Sequence, residues 1–568
     1  MDSGTTLPDV FGVAAGQRLS PVWCWVLAQR ARLALVCITA AGLGLRLGGL
    51  ADKSLWIDET FSVGMVTQSW GSFLHTVGTV QPNMELFYFL VKLLATLTPV
   101  AWQHGETFWR LVPALAGTAI IPATYALTRR LFATPVALGA AALVAVNEFL
   151  VEYSQQARGY TLFVLLLTLS YLALARWLAG EQRALWWFAA LAVLGFLTQA
   201  FEVVFLAAQL AFVAGVWLRR RVLPWRALLA LLPLGVVVAL RYPIYAAHPD
   251  QVSWIQRPTR SDLFHGVRQL VGGDGGVPNA IGNGIVLLVV VGILGLIGWS
   301  IRPFFIRERH SEPQQAAHDL PTLPRLRAVG GALPARAGLD RCEAVALVVL
   351  WFIIPVAGTW LGSQVKPVWV TRYLAPCAVP ACIILAAAVQ VGADQLARLS
   401  QRVARGGPRP GIYGVALVAL VLAAALPWHD YATRSGWEDW RGAATTVAAR
   451  FQPNDGIVCY DNQWGCDFGF SHYFVSLGGA AQFDPAAPGV FSWATYARPD
   501  REAIFAQAVA PASLADYLAH HPRLWVLLGH YSSGSGDWRA GLAWLADHAH
   551  LASKVVFAGD IEVYLYAR

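Results

Sequence analysis

Apolar residues in this chain arrive in long unbroken runs, not in the alternation of an amphipathic strand or the stripe of a surface helix. Runs of roughly membrane length occupy residues 32–50, 108–127, 135–151, 160–178, 185–198, 203–218, 227–245, 281–301, 344–361, 373–391 and 413–426. About twenty such residues cross a hydrocarbon core, so these segments predict about eleven transmembrane helices within 32–426. A further run, 84–100, is short, carries Glu85 and Lys92, and ends at Thr98-Pro99. After residue 426 the pattern changes. The stretch 427–568 is richer in Asp, Gly, Ser and His, with a helical pattern over 440–450 and strand-like runs at 456–460, 524–528 and 554–557. This predicts a small C-terminal α/β domain, long enough for its own core.

Composition supports the membrane class. The chain has 568 residues, of which 56% are hydrophobic and only 13% charged. Soluble domains carry nearer a quarter charged residues. The formal charge of +8 does not indicate nucleic acid, because arginines cluster in short loops between apolar runs, as in cytoplasmic loops of membrane proteins. No cleavable signal peptide is expected, since about thirty residues containing Arg18, Arg30 and Arg32 precede the first span.

Charge parity orients the chain. Arg129-Arg130, Arg176 with Arg183, Arg219-Arg220-Arg221, the arginine-rich stretch 302–343 and the one at 398–409 are expected inside. With a cytoplasmic N-terminal segment, 1–31, the loop before residue 108 lies outside and 84–100 does not cross. It is expected to lie in the interface, under the loop that contains Asp58. The outer face then carries 51–107, 152–159, 246–280, 362–372 and the whole of 427–568. A crossing at 84–100 is the other arrangement, and it requires an outside N-terminus or misplaced arginines. Cys459 and Cys466 fall in the oxidising compartment, where a local disulfide and two unpaired thiols are the two readings.

Under this topology the unusual polar residues gather on one side. Leu55-Trp56-Ile57-Asp58-Glu59 places two adjacent carboxylates where the first span meets water. The simple reading is a solvated helix end. An exposed charge adds little stability, however, whereas an acid held over an apolar scaffold can take a proton. Arg110, Glu152, Arg158, Glu202, Arg241, Asp262, Lys366 and Arg372 map to the same face. Arg110, Glu202 and Arg241 read best as snorkelling or interfacial anchors. Arg158, Lys366 and Arg372 lie in compact loops beside Tyr153, Tyr160, Trp369 and Tyr373, which suits an anionic lipid head. Asp58, Glu59 and Glu152 are the acids a divalent cation would use, but no His or Cys cluster accompanies them, so a metal-independent reaction without cofactor is expected.

An ordered series of motifs carries a resemblance. Leu55 to Glu59 is followed by Gln81-Pro82-Asn83-Met84-Glu85-Leu86-Phe87-Tyr88, by Phe108-Trp109-Arg110-Leu111-Val112-Pro113, and by Glu152-Tyr153-Ser154-Gln155-Gln156-Ala157-Arg158-Gly159-Tyr160. Later come Ser253-Trp254-Ile255, Lys366-Pro367-Val368 leading to Arg372-Tyr373, and Trp437-Glu438-Asp439-Trp440-Arg441. The series resembles the GT-C superfamily of membrane glycosyltransferases, in its protein O-mannosyltransferase and aminoarabinose transferase-like branch (glycosyltransferase family 39-like).

The resemblance implies an integral protein of the plasma (inner) membrane that moves a sugar, mannose or similar, from a polyprenyl-phosphate donor to an extracytoplasmic hydroxyl, with inversion. Protein, glycolipid and polysaccharide all remain open as the acceptor. It implies Asp58 as general base, with Glu59 orienting the acceptor or assisting. Arg158, Lys366 and Arg372 are the candidates for the donor phosphate, and Glu85, Tyr88, Arg110, Tyr153, Tyr160, Trp254 and Tyr373 for the substrate cavity. Two positions depart from the family pattern: Asn83-Met84-Glu85 stands where a proline pair is common, and Thr198-Gln199 where a histidine often follows threonine. The other readings are a lipid or solute transporter, whose broken helices should repeat between two halves, and a non-catalytic relative that binds a lipid-linked glycan. No internal repeat supports the transporter, and Asp58 speaks against the non-catalytic relative.

Overall fold

The computed structural model describes residues 21–79, 83–221, 225–247, 252, 254–273, 278–308, 339–403, 411–434, 436–461, 469–478, 514–529 and 537–568. The helices of the first half are α1 (Pro21–Leu47), α2 (Ile57–Thr67), α3 (Trp70–Thr79), α4 (Glu85–Leu97), α5 (Glu106–Leu131), α6 (Thr134–Val146), α7 (Glu148–Ser154), α8 (Tyr160–Leu178), α9 (Ala184–Thr198) and α10 (Glu202–Arg220). They are followed by α11 (Trp225–Ala230), α12 (Leu232–Ala247), α13 (Arg260–Leu270), α14 (Asn279–Glu308), α15 (Arg341–Gly362), α16 (Ala378–Val403) and α17 (Gly411–Ala425).

Among the described residues, eight helical segments are long and apolar enough to cross a membrane, and a ninth is formed if α6 and α7 are taken as one bent span. The apolar α9 is shorter, at 15 residues, and α1, at 27 residues, packs on α5 and α6. These elements cover the eleven predicted segments. The run 135–151 differs from expectation in being broken by 56° at Asn147. There the Asn147 side chain accepts the Leu150 N–H at 3.0 Å and caps α7, so the chain restarts a helix in a new direction. The helix α4 is only 13 residues long and is not among the candidate spans.

Burial follows the order of packing. Helix α8 sits against α5 and α9, and α16 against α6 and α14, giving a continuous apolar core. Contact between α5 and α7 is close enough that a Cβ on Gly117 would lie 2.0 Å from Ser154 Oγ, so only glycine fits.

The C-terminal region begins with α18 (Trp428–Thr433) and α19 (Trp440–Ala448) and continues through β1 (Gly456–Asp461), α20 (Ser471–Ser476), α21 (Leu514–His520), β2 (Arg523–Gly529), α22 (Asp537–His548), β3 (His550–Phe557) and β4 (Ile561–Ala567). Its four-stranded sheet has the order β1-β2-β4-β3, with β1 parallel to β2 and the other pairs antiparallel. Three strands fall where the sequence pattern placed them, and β4 was not anticipated. Cys459 is disulfide-bonded, while Cys466 lies outside the described residues.

The turn between β3 and β4 packs on the segment 437–441 of the same region, and that segment reaches the rest through Glu438 to Ile57 and Arg441 to Ser54. Gly559 adopts φ +83°, and a Cβ there would meet the Trp437 carbonyl oxygen at 2.3 Å, while the Ala558 carbonyl accepts the Asp439 N–H at 3.1 Å. The segment 437–441 is thereby pressed onto the loop that leads into α2.

Candidate functional site

That loop is held from two directions. From the membrane side, Glu59 is fully buried and accepts Arg110 Nε and Nη2 at 2.7 Å each, as well as the Ala157 N–H at 2.7 Å. Arg110 spends its remaining donors on the carbonyls of Leu50, Lys53 and Ser54 at 2.8 to 3.1 Å. From the C-terminal region, Glu438 Oε2 accepts the Ile57 N–H at 2.9 Å and Trp440 Nε1 at 2.6 Å. A carboxylate there also faces the positive end of α2. Tyr473 bridges the two regions, since its hydroxyl accepts the Leu55 N–H at 2.7 Å and donates to Glu106 at 2.9 Å.

Asp58, the next residue along, is the carboxylate left facing the cleft. Its Oδ2 stands 3.9 Å from Arg158 Nη2 and 3.6 Å from Arg372 Nη2, with 21% of its side chain exposed. Arg158 Nη1 donates to the Asp58 carbonyl at 3.2 Å and to the Tyr88 hydroxyl at 3.0 Å. Burial works against the charge on Arg158, but Tyr88, Asp58 and Tyr160 more than offset it and hold its pKa above the ordinary arginine value. Arg372 lies over three aromatic rings, 5.7 Å from the Trp56 centroid, 5.5 Å from Trp254 and 5.9 Å from Tyr373. Tyr153 packs edge-on against Tyr160, and Tyr160 tilts against Tyr373. Nε of both arginines is buried with no hydrogen-bond partner among the described residues. The cleft therefore has one acid, two cations with spare donors, and a wall of tyrosines.

The structure thus gathers Asp58, Arg158, Arg372, Tyr88, Tyr153, Tyr160, Trp254 and Tyr373, although they come from five separate stretches of sequence. Other expectations are corrected. Glu59 and Arg110 form a buried ion pair at 2.7 Å, so Arg110 is not a free interfacial anchor. Lys366 is exposed. Glu85 is 7% exposed and accepts from Arg241 Nη2 at 2.8 Å. Arg241 is accordingly a partner and not a free snorkelling group. Burial pushes the Glu85 carboxyl up to about 7 against the opposing pull of Arg241. Glu202 is buried inside the helical core, with neither oxygen hydrogen-bonded among the described residues. Glu152 faces Trp437 Nε1 at 3.2 Å and Arg434 at 3.9 Å, so Asp58, Glu59 and Glu152 each have separate partners and do not converge as a ligand set.

Sequence reasoning missed Glu438 and Tyr473 as supports of the Asp58 loop. Glu438 was visible as part of the motif opening the C-terminal region, and Tyr473 left no signal.

The family model described as dolichyl-phosphate-mannose-protein mannosyltransferase matches residues 86–240. The structure of ArnT from Cupriavidus metallidurans in the apo state is similar over 96% of this chain and 98% of that one, with a TM-score of 0.54 and 15% identity. The same protein bound to undecaprenyl phosphate is similar over 94% and 97%, with a TM-score of 0.50 and 13% identity. No curated protein sequence matches the chain. The family match is confined to 86–240, and the likeness to ArnT is one of fold. The matched stretch holds Tyr88, Arg158 and Tyr160 but stops short of Asp58 and Arg372, which the fold alone adds to the site.

Proposed function

We propose that this protein transfers a sugar from a polyprenyl-phosphate donor to an acceptor hydroxyl on the extracytoplasmic face, with inversion at the anomeric carbon. The observation that carries the reading is the partly exposed Asp58 carboxylate standing opposite Arg158 and Arg372. An acceptor oxygen attacks the anomeric carbon as the bond to the phosphate oxygen breaks, and the proton of the hydroxyl passes to Asp58. The departing phosphate carries the new negative charge, and two guanidinium groups preorganised against it stabilise that charge where it develops. Donor phosphate between the arginines replaces their contacts with Asp58 and leaves its carboxylate to the acceptor. One displacement of this kind inverts the configuration. The undecaprenyl phosphate carried by ArnT, a protein of similar fold, supports a polyprenyl-phosphate donor.

The test compares cells with and without the protein by mass analysis of lipid-linked sugars and envelope glycans. Loss of one glycan together with accumulation of a polyprenyl-phosphate sugar is the expected result. Unchanged pools of both, with no binding of undecaprenyl phosphate by the purified protein, would overturn the reading.

A further inference from the structure

A second cavity lies beside the Asp58 cleft, with a volume of about 260 Å³, and neither Asp58, Arg158 nor Arg372 is among its walls. Trp56 belongs to both spaces. Arg372 lies 5.7 Å from its ring centroid, and Trp437 stacks on it with centroids 5.7 Å apart and planes inclined by 29°. The floor is the Arg110–Glu59 pair, and the roof is the connector that carries Tyr431, Arg434 and Trp437 into the C-terminal region.

The chemistry of the walls selects among ligands. A lipid chain or apolar side chain would leave charged and amide groups desolvated without partners. A small anion meets cations that are already engaged: Arg110 with Glu59, Arg434 with Glu148 and Glu152, and Lys53 with the Tyr431 carbonyl at 2.7 Å. It would also meet the two wall carboxylates of Glu59 and Glu152. Two lining residues nevertheless have unsatisfied buried atoms. Trp56 Nε1 is a donor and Gln156 Oε1 an acceptor, and neither has a partner among the described residues. A hydroxyl both gives and accepts hydrogen bonds, and the C–H face of a sugar ring stacks on indole. A neutral polyhydroxyl ring is the ligand that meets all of these conditions.

We propose that this cavity is a saccharide subsite that holds a sugar unit of the acceptor, so that the acceptor is a glycan and not a protein side chain. The acceptor role rests on the transferase reading above; the saccharide binding does not. Because Trp56 separates the cavity from Asp58, the bound unit is not the one that reacts. It anchors a longer chain whose terminal hydroxyl reaches the cleft.

Saturation-transfer NMR on the full-length protein in detergent tests this, with methyl α-mannoside, methyl β-glucoside and methyl β-galactoside as probes. At least one glycoside should bind, and binding should weaken about tenfold in Trp437→Ala and in Gln156→Leu, the scale of losing one aromatic or hydrogen-bond contact. It should survive in Trp437→Phe, which keeps a stacking face, and in Asp58→Asn. If undecaprenyl phosphate binds but no glycoside does, or if glycoside binding is unchanged in Trp437→Ala, the subsite is refuted and the transferase reading stands. If a Ser/Thr-rich peptide binds in a Trp437-dependent way and glycosides do not, the acceptor assignment is refuted. If glycosides bind while undecaprenyl phosphate does not, the transferase reading falls and takes the acceptor role with it.

Discussion

Adjacent in sequence and alike in chemistry, Asp58 and Glu59 are given opposite duties by one step along a helix. The first turn of α2 points Glu59 inward, where Arg110 and the Ala157 N–H saturate it, and leaves Asp58 at the cleft. The two should respond differently to neutralisation. Asp58→Asn keeps the shape but loses the base, so turnover should fall by about a hundredfold or more while undecaprenyl phosphate still binds. Arg372→Ala should weaken that binding as well as turnover, and a normal transfer rate in Asp58→Asn would remove the assigned base. Glu59→Gln instead leaves a buried guanidinium without its counter-charge, and breaking such a pair costs about 3–5 kcal/mol. Its signature is a lowered unfolding midpoint in detergent. A stable Glu59→Gln protein with only an acceptor defect would return Glu59 to the chemistry.

At the scale of elements, α4 and the 437–441 segment decide how the cleft is shaped. Helix α4 is anchored at its start and its middle: Glu85 meets Arg241, and Lys92 donates to the Val66 and Gln68 carbonyls at the end of α2, at 2.8 and 2.6 Å. Because burial raises the Glu85 carboxyl from its ordinary 4.5 to about 7, the folded protein keeps a proton that the unfolded chain releases. Stability contributed by this group is therefore present below about pH 4.5 and lost as pH rises to about 7. Thermal unfolding of the wild-type protein should show that slope, and Glu85→Gln should flatten it. An identical slope in the variant would show that another group titrates. The 437–441 segment acts by position only, bringing Glu438 to the start of α2 while the glycine turn at Gly559 holds it down.

For the whole molecule, the proposal requires Asp58 and the C-terminal region to share one side of the membrane. The loop that carries Asp58 touches that region directly, through Glu438, Arg441 and Tyr473, so an even number of crossings must separate the two. Cysteine labelling in intact cells should therefore reach Asp58, Arg158 and Trp440 positions from outside, and Arg130, Arg220 and Arg325 only after the membrane is opened. Labelling of the Arg130 and Arg220 positions from outside would invert the orientation drawn from the arginine loops. Any separation of Asp58 from Trp440 would contradict the contacts themselves.

The sequence by itself determined the membrane class, the eleven apolar segments and the small sheet-bearing C-terminal region. Those properties depend on local hydrophobicity and its period, which a chain carries without reference to its neighbours. Asp58, Arg158 and Arg372 were also legible, because charge beside a membrane span is costly and stands out. Only the tertiary structure separated Asp58 from Glu59, tied Arg110 to Glu59 and Arg241 to Glu85, and left Lys366 on the surface. It alone showed that residues near 437 build a wall of the second cavity against Trp56, a pairing across nearly four hundred positions. A carboxylate's role depends on which partner reaches it, and that partner is set by how distant helices pack, which no local pattern records.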